Sequence, residues 1–249
     1  MNVIDTLQPY SSITLPPDTF TPDVAAPPHN AEPEVTEKKI KNKNRFKLYA
    51  FIFMKRAFDI AASFFGLLLL APVFLIIIAA IKLESEGKAV YTQRRVGRNG
   101  KVFKMYKFRS MVHNADEILM NFTSEQRAEF EISFKLENDE RITKVGAFLR
   151  KTSLDELPQL LNILAGHLSV VGPRPIVEYE SYKYGEKLDK LLNVKPGLTG
   201  YWQVNGRSCT TYDERIDMEM FYIDNRSLFL DMKIFFLTFA VVVKRKGAC

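Results

Sequence analysis

Between Ala57 and Ile81 the chain carries a single charge, Asp59, and is otherwise almost wholly apolar. No other stretch limits the fold so strongly. At ~1.5 Å per helical residue, a run of this length crosses a bilayer core of roughly 30 Å. A plain transmembrane helix is therefore the first expectation, and two features turn against it. Pro72 stands in the middle, where a proline removes one backbone hydrogen bond and bends a helix. The flanks are basic on both sides: Lys38 to Arg56 before the segment, and Lys82, Lys88, Arg94, Arg95 and Arg98 after it. Basic flanks stay in the cytoplasm. Two cytoplasmic flanks fit a re-entrant, monotopic helix that enters, kinks at Pro72 and returns, with a single span as the alternative. The carbonyl freed at the kink needs a partner. Ala71 offers no hydroxyl, so Ser63 or packed protein has to supply one.

Residues 1–36 are proline-rich and lack apolar periodicity, which predicts a disordered tail rather than a signal peptide. Residues 37–53 read as a basic linker, 54–82 as the re-entrant helix, and 83–249 as a domain on the cytoplasmic side of the membrane interface. The net charge of +6 and pI near 9.1 point to an anionic partner. Among the aromatics, 19 phenylalanines against one tryptophan favour membrane contact over stacking on bases. Cys209 and Cys249 give no disulfide framework, and His29, His113 and His167 form no metal motif.

Two strand-like runs, Val90 to Gln93 and Val102 to Phe108, flank Gly97-Arg98-Asn99-Gly100, a strong hairpin signal. Residues 114–137 read as a charged, exposed helix. From Ile142 the chain is helical in character up to the turns of the 170s, and a further helix is expected over 177–192. The apolar stretch Leu228 to Val243 ends in Lys244-Arg245-Lys246. It fits either an amphipathic helix lying in the membrane interface or a core helix. The fold class expected is α+β, mainly helical, with a kinked membrane-embedded helix, interfacial amphipathic helices and a small β-hairpin.

The chemistry concentrates in Arg150-Lys151-Thr152-Ser153-Leu154-Asp155-Glu156-Leu157-Pro158. Adjacent carboxylates stand at an expected helix mouth. Ser153 and Glu156 have capping-box spacing. Alternatively the helix starts at Pro158, which suits a first helical position. A carboxylate is also a usable nucleophile, and arginines and helix N-termini hold phosphates. Downstream lie Gly172-Pro173-Arg174-Pro175 and a glycine-rich run from Lys195 to Arg207 that carries the sole tryptophan, Trp202. Its glycines would bring the backbone close to something and present N–H groups. Three phosphate-suited pieces in one chain favour phosphate chemistry, although no Walker loop or dinucleotide fingerprint is present.

These pieces, with Lys55-Arg56-Ala57-Phe58-Asp59, the Pro72 helix and Lys107-Phe108-Arg109-Ser110-Met111, resemble the bacterial sugar transferases, the monotopic phosphoglycosyl transferases, in order over residues 54–246. The layout is closest to the short members that initiate exopolysaccharide synthesis. The resemblance implies transfer of a sugar-1-phosphate from a UDP-sugar to undecaprenyl phosphate with release of UMP, at the cytoplasmic face of the bacterial inner membrane. Glucose and galactose are the leading sugars.

The resemblance also implies residue roles. Asp155 is the nucleophile, passing through a phosphosugar–aspartyl intermediate. Glu156 helps hold Mg²⁺ beside Asp155 and assists the acceptor step. Arg150, Arg174 and Arg207 grip phosphates, and Lys107, Arg109 and Gln203 complete the substrate-binding set. Where many relatives have serine before the kink proline, this chain has Ala71. Three rival readings remain: a scaffold without turnover, a hydrolase using water as acceptor, and a nucleic-acid-binding protein. The last does not explain the apolar segment. The resemblance leaves open whether the protein forms a homo-oligomer.

Overall fold

The computed structural model describes residues 42–133, 136, 139–206 and 210–244. The proline-rich tail and Arg207 lie outside the described residues. The architecture is mainly helical, with two small sheets and one long apolar helix.

That helix, α1 (Asn42–Glu84), begins inside the stretch read as a basic linker and runs unbroken through Pro72. It is long and apolar enough, by length and composition, to cross a membrane. Much of it is exposed, Leu69 to 79%. One face is not. Phe58 and Ala62 pack on the main core, while Ile77 and Ile81 join Phe108 and Leu149 in a second cluster. Ser63 does not serve the carbonyl freed by Pro72. Its hydroxyl donates to the carbonyls of Asp59 and Ile60, further toward the N-terminus.

The buried polar side chains of α1 tie it to the rest of the chain. Asp59 accepts hydrogen bonds from Ser169 Oγ (2.9 Å) and the Val170 N–H (2.8 Å). Lys55 donates to the Val171 carbonyl and pairs with Asp231 at 2.5 Å. Arg56 caps the carbonyls of Ile163 and Leu164.

β1 (Val90–Val96) and β2 (Val102–Phe108) form the expected antiparallel hairpin. Asn99 (φ 57°) and Gly100 (φ 71°) take the left-handed conformations that such a turn needs at its two central positions. The segment expected to be one exposed helix is instead two short ones, α2 (Ala115–Met120) and α3 (Ser124–Ser133). Between them Phe122 turns inward, packs against Phe130 and lies under the Arg141 guanidinium.

α4 (Lys144–Thr152) starts at Thr143, whose hydroxyl accepts from the Gly146 N–H. Glu84, the last residue of α1, accepts the N–H groups of Lys144 and Val145. The end of the apolar helix thus meets the positive end of α4. A 3₁₀ turn, Leu154–Glu156, leads into α5 (Gln159–Leu164) and β3 (Ser169–Val171).

The helix expected over 177–192 is a 3₁₀ stretch, Glu178–Lys187, broken at Gly185 (φ 46°), followed by α6 (Leu188–Leu192). β4 (Gly197–Thr199) then pairs in parallel with β3. α7 (Tyr201–Asn205), α8 (Tyr212–Asn225) and α9 (Leu228–Lys244) complete the domain.

α9 packs one face on the domain and leaves another exposed. Asp231 and Ile234 are buried in the protein, while Phe229, Phe236 and Phe239 stand exposed.

Candidate active site

The turn bearing the two carboxylates is built by the end of one helix and the start of the next. α4 ends at Ser153, which adopts a left-handed conformation (φ 57°) and makes no side-chain cap. The capping box of Ser153 and Glu156 is therefore absent. Ser153 closes α4 and leads directly into the 3₁₀ turn without a side-chain cap, and Pro158 stands immediately before α5, closer to the alternative register. Asp155 and Glu156 project from the 3₁₀ turn between the two helices.

β2 runs past this turn. With the two-residue period of a strand, Phe103, Met105 and Lys107 share a face. Lys107 Nζ reaches Glu156 Oε1 at 2.9 Å. A small, open cleft lies here. It is lined by Lys107 and Glu156, by Arg174 and Gln203 from the downstream motifs, and by Arg95 and Gln159.

The Gly172–Pro175 turn and the Pro196–Gly200 run reach this cleft together because β3 and β4 zip them side by side. The N–H of Gly172 donates to Thr199 O, and that of Gly197 to Pro173 O, both at 2.8 Å. A Cβ on Gly197 would lie 2.1 Å from Gly172 N. What these glycines bring close is each other's backbone, and their N–H groups are spent in the ladder.

The two carboxylates differ electrostatically. Burial pushes the Asp155 carboxyl above its ordinary value, with Glu156 adding to the rise and Lys107 and Arg150 opposing it. For Glu156 burial also works against the charge, but Lys107, Arg174 and Arg95 outweigh it and hold the carboxyl below the usual range. Among the described residues, no other residue donates a hydrogen bond to the Asp155 carboxylate. Glu156 has one oxygen engaged by Lys107.

Two carboxylates with oxygens to spare are a donor set that Mg²⁺ uses, with substrate phosphates and water completing its shell. The residues fit that ion. Among the described residues there is no group of three or more His, Cys, Asp and Glu suited to a metal.

The remaining predicted site residues divide. Arg150, in the last turn of α4, donates from Nε to Ser110 Oγ (2.8 Å) and is electrostatically coupled to Asp155. Arg174 lies in the cleft with its guanidinium 5.7 Å from the Trp202 ring centre. Gln203, on α7, also lines the cleft. Arg109 points elsewhere. Its guanidinium donates to Ser85 O, Ser85 Oγ and Glu86 O, fastening the chain just beyond α1.

The sequence motifs do not mark Arg95 as a site residue. It is 7% exposed, donates to Pro175 O and Gln93 Oε1, and is drawn down to about 10 by burial and by the neighbouring Arg174. The signal was available: an arginine directly opposite Phe103 in a hairpin must share the face of that buried ring.

The sequence model for "Bacterial sugar transferase" matches residues 50–245, most of the chain. The chain belongs to the bacterial sugar transferase family. Its relatives within the sugar transferases include the undecaprenyl-phosphate galactose phosphotransferase of Salmonella typhimurium. The two are 48% identical over 199 residues, which cover 79% of this chain and 42% of that protein. The exopolysaccharide production protein ExoY of Rhizobium meliloti is 46% identical over 197 residues, 78% of this chain and 87% of that protein. The UDP-glucose:undecaprenyl-phosphate glucose-1-phosphate transferase of Escherichia coli is 40% identical over 194 residues, 74% of this chain and 39% of that protein. The chain spans less than half the length of several of these sugar transferases, and most of ExoY.

Proposed function

We propose that this sugar transferase moves a hexose-1-phosphate, glucose or galactose, from a UDP-sugar to undecaprenyl phosphate, releasing UMP and initiating synthesis of an exopolysaccharide or related glycoconjugate. The observation that carries this reading is the Asp155–Glu156 turn beside Lys107, with Glu156 lining a cleft that Lys107 and Arg174 also line and Asp155 in the field of Lys107 and Arg150, in a chain of this family.

Asp155 attacks the sugar-bearing phosphorus of the donor. The new bond joins Oδ to phosphorus, and the bond to the UMP oxygen breaks, with UMP taking the electron pair. A phosphosugar–aspartyl intermediate remains. An oxygen of undecaprenyl phosphate then attacks the same phosphorus, the bond to Asp155 breaks, and the carboxylate is restored. A carboxylate needs no base to become nucleophilic at neutral pH, and its desolvated position strengthens its basicity.

The barrier is repulsion between anions. Arg174, Arg150 and Lys107 reduce it, with Arg207 and Gln203 assigned to the same task from the sequence motifs. Glu156, held ionised by its cationic neighbours, assists the entering acceptor phosphate. Mg²⁺, held by Asp155 and Glu156, would supply further neutralisation of the donor phosphates when bound.

The acceptor headgroup sits at the membrane surface, so the carboxylate turn must lie there too. In this reading α1 is re-entrant, with both ends at the cytoplasmic face of the bacterial plasma membrane, and the exposed phenylalanines of α9 rest in the interface.

The test is UMP release by detergent-purified protein with Mg²⁺ across a panel of UDP-sugars, with and without undecaprenyl phosphate. Lipid-stimulated release with one donor, lost in Asp155→Asn, is the expected outcome. Equal release without lipid, accompanied by free sugar phosphate, would identify a hydrolase instead.

A further inference from the structure

Glu219, on α8, is 1% exposed and lies outside the cleft, and the proposed reaction makes no use of it as acid, base or ligand. A buried carboxylate is costly unless its oxygens are occupied. Here they are. Oε2 accepts from the Tyr184 hydroxyl at 2.5 Å, and Oε1 accepts from Arg215 Nε and from the backbone N–H of Arg174, each at 3.3 Å. Burial works against the Arg215 charge, but Glu219 and the neighbouring tyrosines outweigh it and hold the guanidinium above its ordinary value. Burial pushes the Glu219 carboxyl above its ordinary value, opposed by the Arg215 charge and by the hydrogen bonds from Tyr184, Arg215 and the Arg174 N–H.

The network reaches the cleft by a second route. The Arg215 guanidinium lies 4.9 Å from the Trp202 ring centre and 4.9 Å from that of Tyr212. Trp202 is also the ring over which the Arg174 guanidinium lies. One indole thus receives an arginine from the buried network and an arginine from the cleft, each attracted to its electron-rich face. Trp202 is itself fixed by donation from Nε1 to Thr210 Oγ1 at 2.8 Å. Glu219 therefore bears on Arg174 twice, through its backbone N–H and through the Arg215–Trp202 stack.

We infer that Glu219 is a positioning residue: it sets the aim of Arg174 into the cleft and so tunes affinity for the diphosphate of the nucleotide donor. This rests on the reading of the cleft as the donor-phosphate site. A purely architectural ion pair would stabilise α8 without being coupled to Arg174 in ligand binding, and a double-mutant cycle separates the two roles.

The probe is UDP, titrated calorimetrically into the detergent-purified full chain, so that no turnover is required. Three variants are compared with the unmodified protein: Arg174→Ala, the paired replacement Arg215→Met with Glu219→Gln, and all three substitutions together. The glutamine keeps a carbonyl oxygen to accept from the Arg174 N–H and presents its NH₂ to the Tyr184 hydroxyl, which then accepts, and replacing a buried pair whole avoids stranding one charge. Arg174→Ala should weaken UDP binding about tenfold. The paired replacement should weaken it about fivefold alone, and by less than about twofold when Arg174 is already alanine. Full additivity would overturn the inference and leave Glu219 as architecture. Should the paired replacement not fold, Tyr184→Phe removes only one hydroxyl from the carboxylate and must give the same non-additive pattern. Unchanged UDP affinity in Arg174→Ala would instead remove Arg174 from the donor site, overturning that assignment and this inference with it.

Discussion

Lys107 Nζ lies 2.9 Å from Glu156 Oε1, and the same ammonium is the leading electrostatic support for the charge on Asp155. One strand residue thus serves both carboxylates of the turn. Replacing it with methionine removes the larger opposition to burial at Asp155, leaving Arg150, and weakens the hold on Glu156, so both carboxyls rise. The acid limb of the kcat/KM profile for UMP release should move to higher pH in Lys107→Met. Activity at neutral pH should fall on the order of 10²-fold. An unmoved acid limb would show that neither carboxylate governs the rate.

The two carboxylates should have opposite effects on stability. Asp155 is raised by burial, so the folded state holds its proton more tightly than the unfolded chain does. Its favourable contribution is present below the ordinary carboxylate range and is lost as pH rises through the folded value. Asp155→Asn should therefore raise Tm at neutral pH while lowering activity on the order of 10³-fold or more. Glu156, although burial opposes its charge, is held low by Lys107, Arg174 and Arg95, and contributes stability above the ordinary range that disappears as pH falls. Glu156→Gln should lower Tm at neutral pH, with the difference shrinking in acid. Thermal melts of both variants across pH check the two signs together.

Arg109 is fastened to Ser85 and Glu86, not to the cleft. Arg109→Ala should cost about 1–3 kcal/mol through carbonyls left without their donor. Donor KM should stay within about twofold of its original value, an effect small on the scale of a lost charged hydrogen bond. A large rise in donor KM without a fall in Tm would restore Arg109 to the substrate-binding set.

Gly197 and Gly172 approach too closely for a side chain at either position. Gly197→Ala should open the β3–β4 ladder and destabilise the protein by about 1–3 kcal/mol or more. Because this ladder holds the Arg174 turn, UDP affinity should fall as well. A normal melt and normal affinity would contradict the claim that the ladder positions the turn.

The hairpin was legible because Asn99-Gly100 is a local signal, and the long helix because an apolar run needs no partner to be recognised. The sequence marks the carboxylate turn as a candidate site, but not how the turn is capped. Whether Ser153 opens a helix or closes one depends on α4, whose start is set by Thr143 and Glu84. The short parallel ladder was hidden for another reason. Its strands are three residues each, and their Gly and Pro neighbours read as turns. Glu219 is hidden because its meaning is tertiary. Glu219 is 45 positions from Arg174, and no pattern within α8 announces that pairing.

The central claim is that Asp155 carries the sugar phosphate between donor and lipid. Its most direct test is the intact mass of the protein after incubation with the UDP-sugar panel and Mg²⁺ in the absence of acceptor. A gain equal to hexose monophosphate less water, mapped to Asp155, discharged by undecaprenyl phosphate and absent in Asp155→Asn, is the expected result. Lipid-dependent UMP release with no mass gain under any donor would contradict it, and would mean that the two substrates react directly with one another.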